Sequence, residues 1–235
     1  MRKMLMALLC LPMFVSAATS VSLDRWPGSV GDKAALQNGA KYFVNYCLNC
    51  HSASYMRYTK LGELGLTEQQ IRDNLMFTAE KIGEPMRVAA RPDEQKKWFG
   101  AAPPDLTVIA RARASADGSG ADWLYTYLRS FYHDEKRPTG WNNKIFENVG
   151  MPHVLYELQG TRILDKDHQF QTVLPGKLTD EEFDKAVSDL VGFLVWMAEP
   201  HQEYRQRLGL AVLAFLVLLF GVAYALKKEY WKDVR

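Results

Sequence analysis

Cys47, Leu48, Asn49, Cys50 and His51 spell C-x-x-C-H, and no other feature constrains this chain as strongly. The pattern is the signature for covalent attachment of a c-type haem, so a large apolar ring has to be housed inside the domain. Each cysteine can form a thioether with one vinyl group, while the adjacent histidine reaches the iron. Two other uses of paired cysteines make demands that the residues can be checked against. A redox C-x-x-C expects a βαβ setting, and a zinc site expects a second ligand pair at suitable spacing. The approach through Leu36, Ala40, Phe43, Cys47 and Cys50 has helical periodicity instead, and the only other cysteine is Cys10.

The first residues read as a secretory signal. Arg2 and Lys3 precede an apolar run from Met4 to Val15, and Val15-Ser16-Ala17 forms a small-residue cleavage site. Residues 1–17 are therefore expected to be removed, leaving Ala18 first. Cys10 reads as part of the discarded run, since Leu8 and Leu9 stand where a lipoprotein acceptor cysteine would want a small residue. Export fits the haem, because thioether attachment takes place on the outer face of the bacterial membrane. There Cys47 and Cys50 would otherwise be candidates for a mutual disulfide. No Arg- and Ser-rich transit region is present, which points to a bacterium.

Residues 208–226 are uncharged, and at 1.5 Å per residue they span ~28 Å as a helix, close to the hydrocarbon thickness of a bilayer. Phe215, Leu216, Val217, Leu218, Leu219 and Phe220 leave no polar face, as expected of a single membrane anchor rather than an amphipathic core helix. The tail, residues 227–235, carries Lys227, Lys228, Lys232 and Arg235. The positive-inside rule places it in the cytoplasm and the exported domain, residues 18–207, in the periplasm. Tyr224, Tyr230 and Trp231 would sit near that interface.

The formal charge of +2 misleads until the parts are separated. Without Arg2 and Lys3 the chain has 27 basic and 27 acidic residues, and without the tail's four basic and two acidic residues the exported domain has 23 against 25. This slightly acidic domain suits a basic soluble partner and gives no support to nucleic-acid binding. About 190 residues can bury one core, so a single haem domain is expected.

The coarse pattern is mainly α with long loops. Helices are expected over 33–46, from Thr67 with a Thr67/Gln70 capping box, over 105–114, over 121–132, and from Thr179. The last begins with a Thr179/Glu182 capping box and continues through Phe183, Val187, Leu190, Leu194 and Met197 to Pro200, which ends it or opens the helix leading to the membrane. Class I c-type cytochromes cross a first and a last helix in this way. The connections 87–104 and 132–149 read as loops where ligands and partners are met.

Methionine is the usual second ligand of a relay haem, because its soft thioether favours ferrous iron. Met56 lies too near His51, Met197 belongs to the apolar stripe of the last helix, and Met76 stands beside Leu75 on a helix. Met86 and Met151 occupy loops. Glycine and proline in Gly150-Met151-Pro152 give Met151 the better mechanical setting, with Met86, His153 and an open site as the alternatives the residues leave standing.

Several segments together resemble the cytochrome c1 family. They are Asn38-Gly39 leading into Val44 to Ser52, Pro103-Pro104-Asp105-Leu106 followed by Arg111-Ala112-Arg113, Gly150-Met151-Pro152, and Trp196-Met197-Ala198-Glu199-Pro200 before the anchor. The resemblance covers most of Leu36 to Arg235. It implies one haem c with His51 and Met151 as iron ligands, Arg113 near a propionate, and Pro103 and Pro104 walling the haem edge. Arg111 reads as part of a solvated face. Trp123 departs from the family's more frequent tyrosine, so an indole N–H would replace a phenol there. It further implies a dimeric bc1 complex with cytochrome b, in which a mobile Rieske iron–sulfur protein reduces this haem and a soluble cytochrome c is reduced in turn. No side chain need act as acid or base, and His133, His168 and His201 read as surface residues. A haem peroxidase would need an open coordination site or a second C-x-x-C-H. A membrane-tethered cytochrome serving another respiratory chain differs only in its partners.

Overall fold

The computed structural model describes residues 22–234. The expected signal peptide, with Cys10 and the Ala17–Ala18 junction, lies outside the described residues.

Helix α1 (Lys33–Tyr42) starts where Asp32 accepts a hydrogen bond from the Ala35 amide at 3.1 Å. It widens into a π-helical turn over Phe43–Cys47, so that the Leu48 amide reaches the Phe43 carbonyl at 2.9 Å. The His51 amide then closes on the Cys47 carbonyl at 2.8 Å. The helix expected over 33–46 therefore changes pitch at Phe43, as π turns often do beside functional sites.

Strand β1 (Ala53–Arg57) follows, then a 3-10 helix over Tyr58–Leu64 that ends at Gly65 with φ 93°. Helix α2 (Glu68–Asn74) has the expected Thr67/Gln70 capping box. Strand β2 (Pro85–Met86) pairs antiparallel with β1. Helix α3 (Pro92–Phe99) lies inside the segment 87–104 that was expected to be a loop. Proline at its first position suits a helix start, but Trp98 and Phe99 are both exposed, so no buried stripe marks it in the sequence.

Helix α4 is only Ile109–Ala112, against the expected 105–114. Asp105 prevents the earlier start. Its carboxylate accepts from the Thr107 amide at 2.9 Å, the Thr107 hydroxyl at 2.5 Å and the Ser54 amide at 2.8 Å, and these bonds tie 105–107 to β1 in a turn. Helix α5 (Gly120–Arg129) is capped by Ser119 and stops short of the expected Tyr132. There Phe131–His133 becomes β3 and pairs with β4 (Trp141–Asn143). After α6 (Tyr156–Gln159), β5 (Gly160–Leu164) and β6 (Phe170–Pro175) form a third antiparallel pair. Strands β3 and β4 correct the loop reading of the connection 132–149.

Helix α7 (Asp180–Ala198) carries the expected Thr179/Glu182 box and the buried stripe Phe183, Val187, Leu190, Leu194 and Met197. It crosses α1 closely. A Cβ on Gly39 would lie 2.0 Å from the Asp189 carbonyl oxygen, so only glycine lets the two backbones meet. Asn38 Nδ2 donates to Asp189 Oδ2 at 2.7 Å, and the Phe43 and Phe193 rings lie 5.4 Å apart. Burial of each such side chain contributes ~1.5–3 kcal/mol. The Trp26 indole donates to the Ser188 carbonyl at 3.0 Å and its amide to Asp122 at 2.7 Å, tying the leading segment to α7 and α5.

Pro200 separates α7 from α8 (Gln202–Tyr230). None of α8 is buried, and it is the one helix among the described residues long and apolar enough to cross a membrane. Its 29 residues extend ~43 Å and contain the expected span 208–226.

Candidate functional site

A cavity of about 300 Å³ opens beside the α1–α7 crossing, with a strongly apolar lining. The π turn after α1 and the residues that follow it supply Cys47, Cys50 and His51 to it. Both cysteines are free thiols. Burial, with the neighbouring Cys50, pushes Cys47 up to about 12, and burial raises Cys50 too. A redox pair needs the opposite, a thiol whose pKa is depressed toward thiolate.

His51 is oriented by the backbone. Its Nδ1 lies 2.8 Å from the Pro104 carbonyl oxygen. A carbonyl only accepts, so Nδ1 carries the proton and Nε2 keeps its lone pair for a metal. Burial lowers the imidazole pKa despite the opposing Pro104 bond and Asp105, which keeps the ring neutral and able to ligate. Pro104 is itself held in place, because Asp105 is bonded to β1 and the Leu106 amide reaches the Ser52 carbonyl at 2.8 Å. Pro103 and Pro104 both line the cavity.

Of the five methionines in 22–234, Met151 alone lines this cavity, together with Gly150 and Pro152. Met56, Met86 and Met197 are buried in the core and Met76 packs against it. His153 is 2% exposed and is turned onto Phe131 in a stack of 4.9 Å and 6°, away from the cavity. Burial lowers its pKa to about 4.

Helix α5 forms one wall through Trp123, Leu124, Tyr127 and Leu128, and α7 adds Leu190 and Leu194. Trp123 stacks on Tyr127 at 4.7 Å and 14°. The Arg113 guanidinium covers the other side of Trp123, 4.4 Å from the ring centre. Arg113 lines the cavity and forms no ion pair with any described residue. Arg111 is exposed and does not line it. Sequence reasoning missed Tyr127, although Trp123, Tyr127 and Phe131 recur every four residues, as one face of a helix requires. Burial lifts the Tyr127 phenol to about 12, so it remains a hydroxyl, and it donates to Met151 Sδ at 3.5 Å.

The donor set fits a c-type haem. Two neutral thiols stand beside an imidazole with its Nε2 free, a thioether shares the same apolar cavity, and an unpaired guanidinium is available to a propionate. Among the described residues, no three His, Cys, Asp or Glu side chains converge to hold a bare metal ion.

The family model described as the Cytochrome C1 family matches residues 27–234. The chain is 48% identical over 234 residues to a Nitrosomonas europaea protein named ammonia monooxygenase gamma subunit, covering 98% of this chain and 97% of that one. It is 47% identical over 215 residues to cytochrome c1 of Allochromatium vinosum, covering 86% of each. It is also 30% identical over 239 residues to a Bradyrhizobium diazoefficiens protein named cytochrome b/c1, covering 86% of this chain and 34% of that protein.

Proposed function

This chain belongs to the cytochrome c1 family, haem-containing electron-transfer proteins with one covalent haem c, and from that premise we propose that it relays single electrons within a bc1 complex, from a Rieske iron–sulfur protein to a soluble cytochrome c. The observation that carries the reading is the convergence of Cys47, Cys50, His51 and Met151 on one apolar cavity. Cys47 and Cys50 form the thioethers, and His51 Nε2 and Met151 Sδ ligate the iron. When bound, the haem supplies a one-electron ferric/ferrous couple.

The protein's own residues prepare the site for that couple. The Pro104 carbonyl fixes the His51 tautomer, and Arg113, held over Trp123, offsets a propionate's charge. Leu124, Leu128, Leu190 and Leu194 exclude water, so little solvent has to reorganise as the charge changes. The haem domain is placed in the periplasm of a bacterium, with α8 in the bilayer and residues 227–235 in the cytoplasm. Cytochrome b is the expected neighbour, since the Bradyrhizobium relative is named for both proteins, and the complex is dimeric.

The test is to isolate the tagged chain from native membranes in mild detergent, add quinol, and follow its haem spectrum with and without an inhibitor of the Rieske-side quinol site. Inhibitor-sensitive reduction, with a cytochrome b and an iron–sulfur protein copurifying, is the expected result. The name of the Nitrosomonas relative favours a second reading, an electron carrier tied to another oxidoreductase. A haem that quinol cannot reduce, copurifying with different subunits, would select it.

A further inference from the structure

Among the described residues, Tyr127 is the one cavity residue that hydrogen-bonds to Met151. Its hydroxyl donates to Sδ at 3.5 Å, and the surrounding packing leaves it little freedom to do otherwise. The ring is buried, stacks on Trp123 at 4.7 Å and meets the Phe131 ring edge-on at 5.1 Å. These contacts hold the phenol on α5, a rigid element capped by Ser119. The loop carrying Met151 has its own anchors, because Val149 is buried and His153 is clamped between Trp141 and the same Phe131 ring. Donor and acceptor are thus each fixed by packing outside the hydrogen bond.

We propose that Tyr127 is a positioning and tuning residue for the thioether ligand: it holds one lone pair of Met151 Sδ in a hydrogen bond and so directs the other toward the iron. The inference rests on the assignment of Met151 as that ligand. A thioether sulfur has two lone pairs, so a hydroxyl on one does not compete with a metal on the other. The hydrogen bond draws electron density from sulfur. Ferric iron needs that density more than ferrous iron does, so the bond favours the reduced state and raises the potential. Hydrogen bonding from outside the coordination shell is a recognised lever on haem potential. Phe131 has no donor to replace the phenol, and the Trp123 ring is stacked on Tyr127, whose hydroxyl makes the bond to Met151.

The test compares three forms of the full chain in the complex: native, Tyr127→Phe and Met151→Leu. Each is read by redox titration and by the long-wavelength charge-transfer band of methionine on ferric haem. Tyr127→Phe keeps the ring and its stacking, so a packing role alone would move neither readout. The expected result is that the band persists at a shifted position, while the ferrous-to-ferric ratio at fixed ambient potential falls by up to about tenfold, or about 59 mV for a one-electron couple. Replacing Tyr127 with 3-fluorotyrosine, a stronger donor, should move the potential the opposite way. It decides the matter alone if Tyr127→Phe fails to accumulate with haem. A band lost in Met151→Leu, with Tyr127→Phe matching the native protein in both readouts, would overturn the role of Tyr127 and leave Met151 as ligand. A band that survives in Met151→Leu would overturn the ligand assignment, and this inference with it.

Discussion

Replacing Gly39 with alanine puts a severe backbone strain on the crossing of α1 and α7 for a small chemical change. The added methyl carbon would lie 2.0 Å from the Asp189 carbonyl oxygen, 2.7 Å from the carbonyl carbon and 2.8 Å from Phe193 Cβ. Ordinary contact begins at 3.4 Å, so the α1 and α7 backbones must separate by about 1.4 Å locally. Both neighbours belong to the interior of a long helix, and no flexible side chain can absorb the shift. Overpacking of this kind costs ~1–3 kcal/mol, and an unyielding backbone contact places Gly39→Ala near the top of that range. For a chain of this size, ~3 kcal/mol corresponds to a fall in Tm of ~6–12 °C. The same movement displaces the π turn and the Cys47–Cys50 segment that leaves it from Leu190 and Leu194, so haem loading should fall as well. The assay is thermal unfolding of the detergent-solubilised chain, followed by circular dichroism and by the haem band. Gly62→Ala serves as the control, because nothing lies within 4 Å of its added carbon. A Gly39→Ala protein within ~0.5 kcal/mol of that control, the ordinary range of neutral surface changes, would refute the close-crossing argument.

Met151→Leu should leave the haem covalently bound but lower its potential and stop electron relay, and an unchanged potential in redox titration would eliminate Met151 as ligand. Asp105→Asn should lower stability at neutral pH by ~1–3 kcal/mol, the cost of weakening bonds to an ionised acceptor. Burial raises the Asp105 pKa, but the bonds from Thr107 and Ser54 outweigh it and leave the folded value below 3.8. The native carboxylate therefore contributes stability above about pH 4, and that contribution is lost as pH falls through the folded value. Urea titrations of native and Asp105→Asn proteins should converge below that range, and a gap that persists there would count against the mechanism. Ending the chain after Arg207 should release a haem-loaded domain into the soluble periplasmic fraction; retention in washed membranes would show that α8 is not its sole anchor.

The parts of this protein legible in the sequence are those in which the chemistry is local. Cys47, Cys50 and His51 announce their cofactor by adjacency. Thr67 and Thr179 announce helix starts through a partner three residues on, and residues 208–226 announce a helix long and apolar enough to cross a membrane, with no polar face to offer water. Gly150-Met151-Pro152 could be favoured over its rivals on loop mechanics. It took the fold to bury Met86 on β2 and to turn His153 onto Phe131, leaving Met151 alone among them at the cavity.

The misreadings have a common cause. Asp105 sits where a helix could begin, yet its carboxylate bonds Ser54, 51 residues away. Tyr132 continues a helical pattern, yet it pairs with Asn142 in a strand. Tyr127 looks like one more aromatic of a core stripe until Met151, 24 residues on, brings its sulfur to the phenol. The haem-attachment motif, the helix caps and the long apolar helix depend on side chains and close neighbours, and the sequence alone determined them here. The ends of α4 and α5, the tautomer of His51 and the environment of Met151 depend on which distant backbone or side-chain group offers the better bond, and only the tertiary structure decides that.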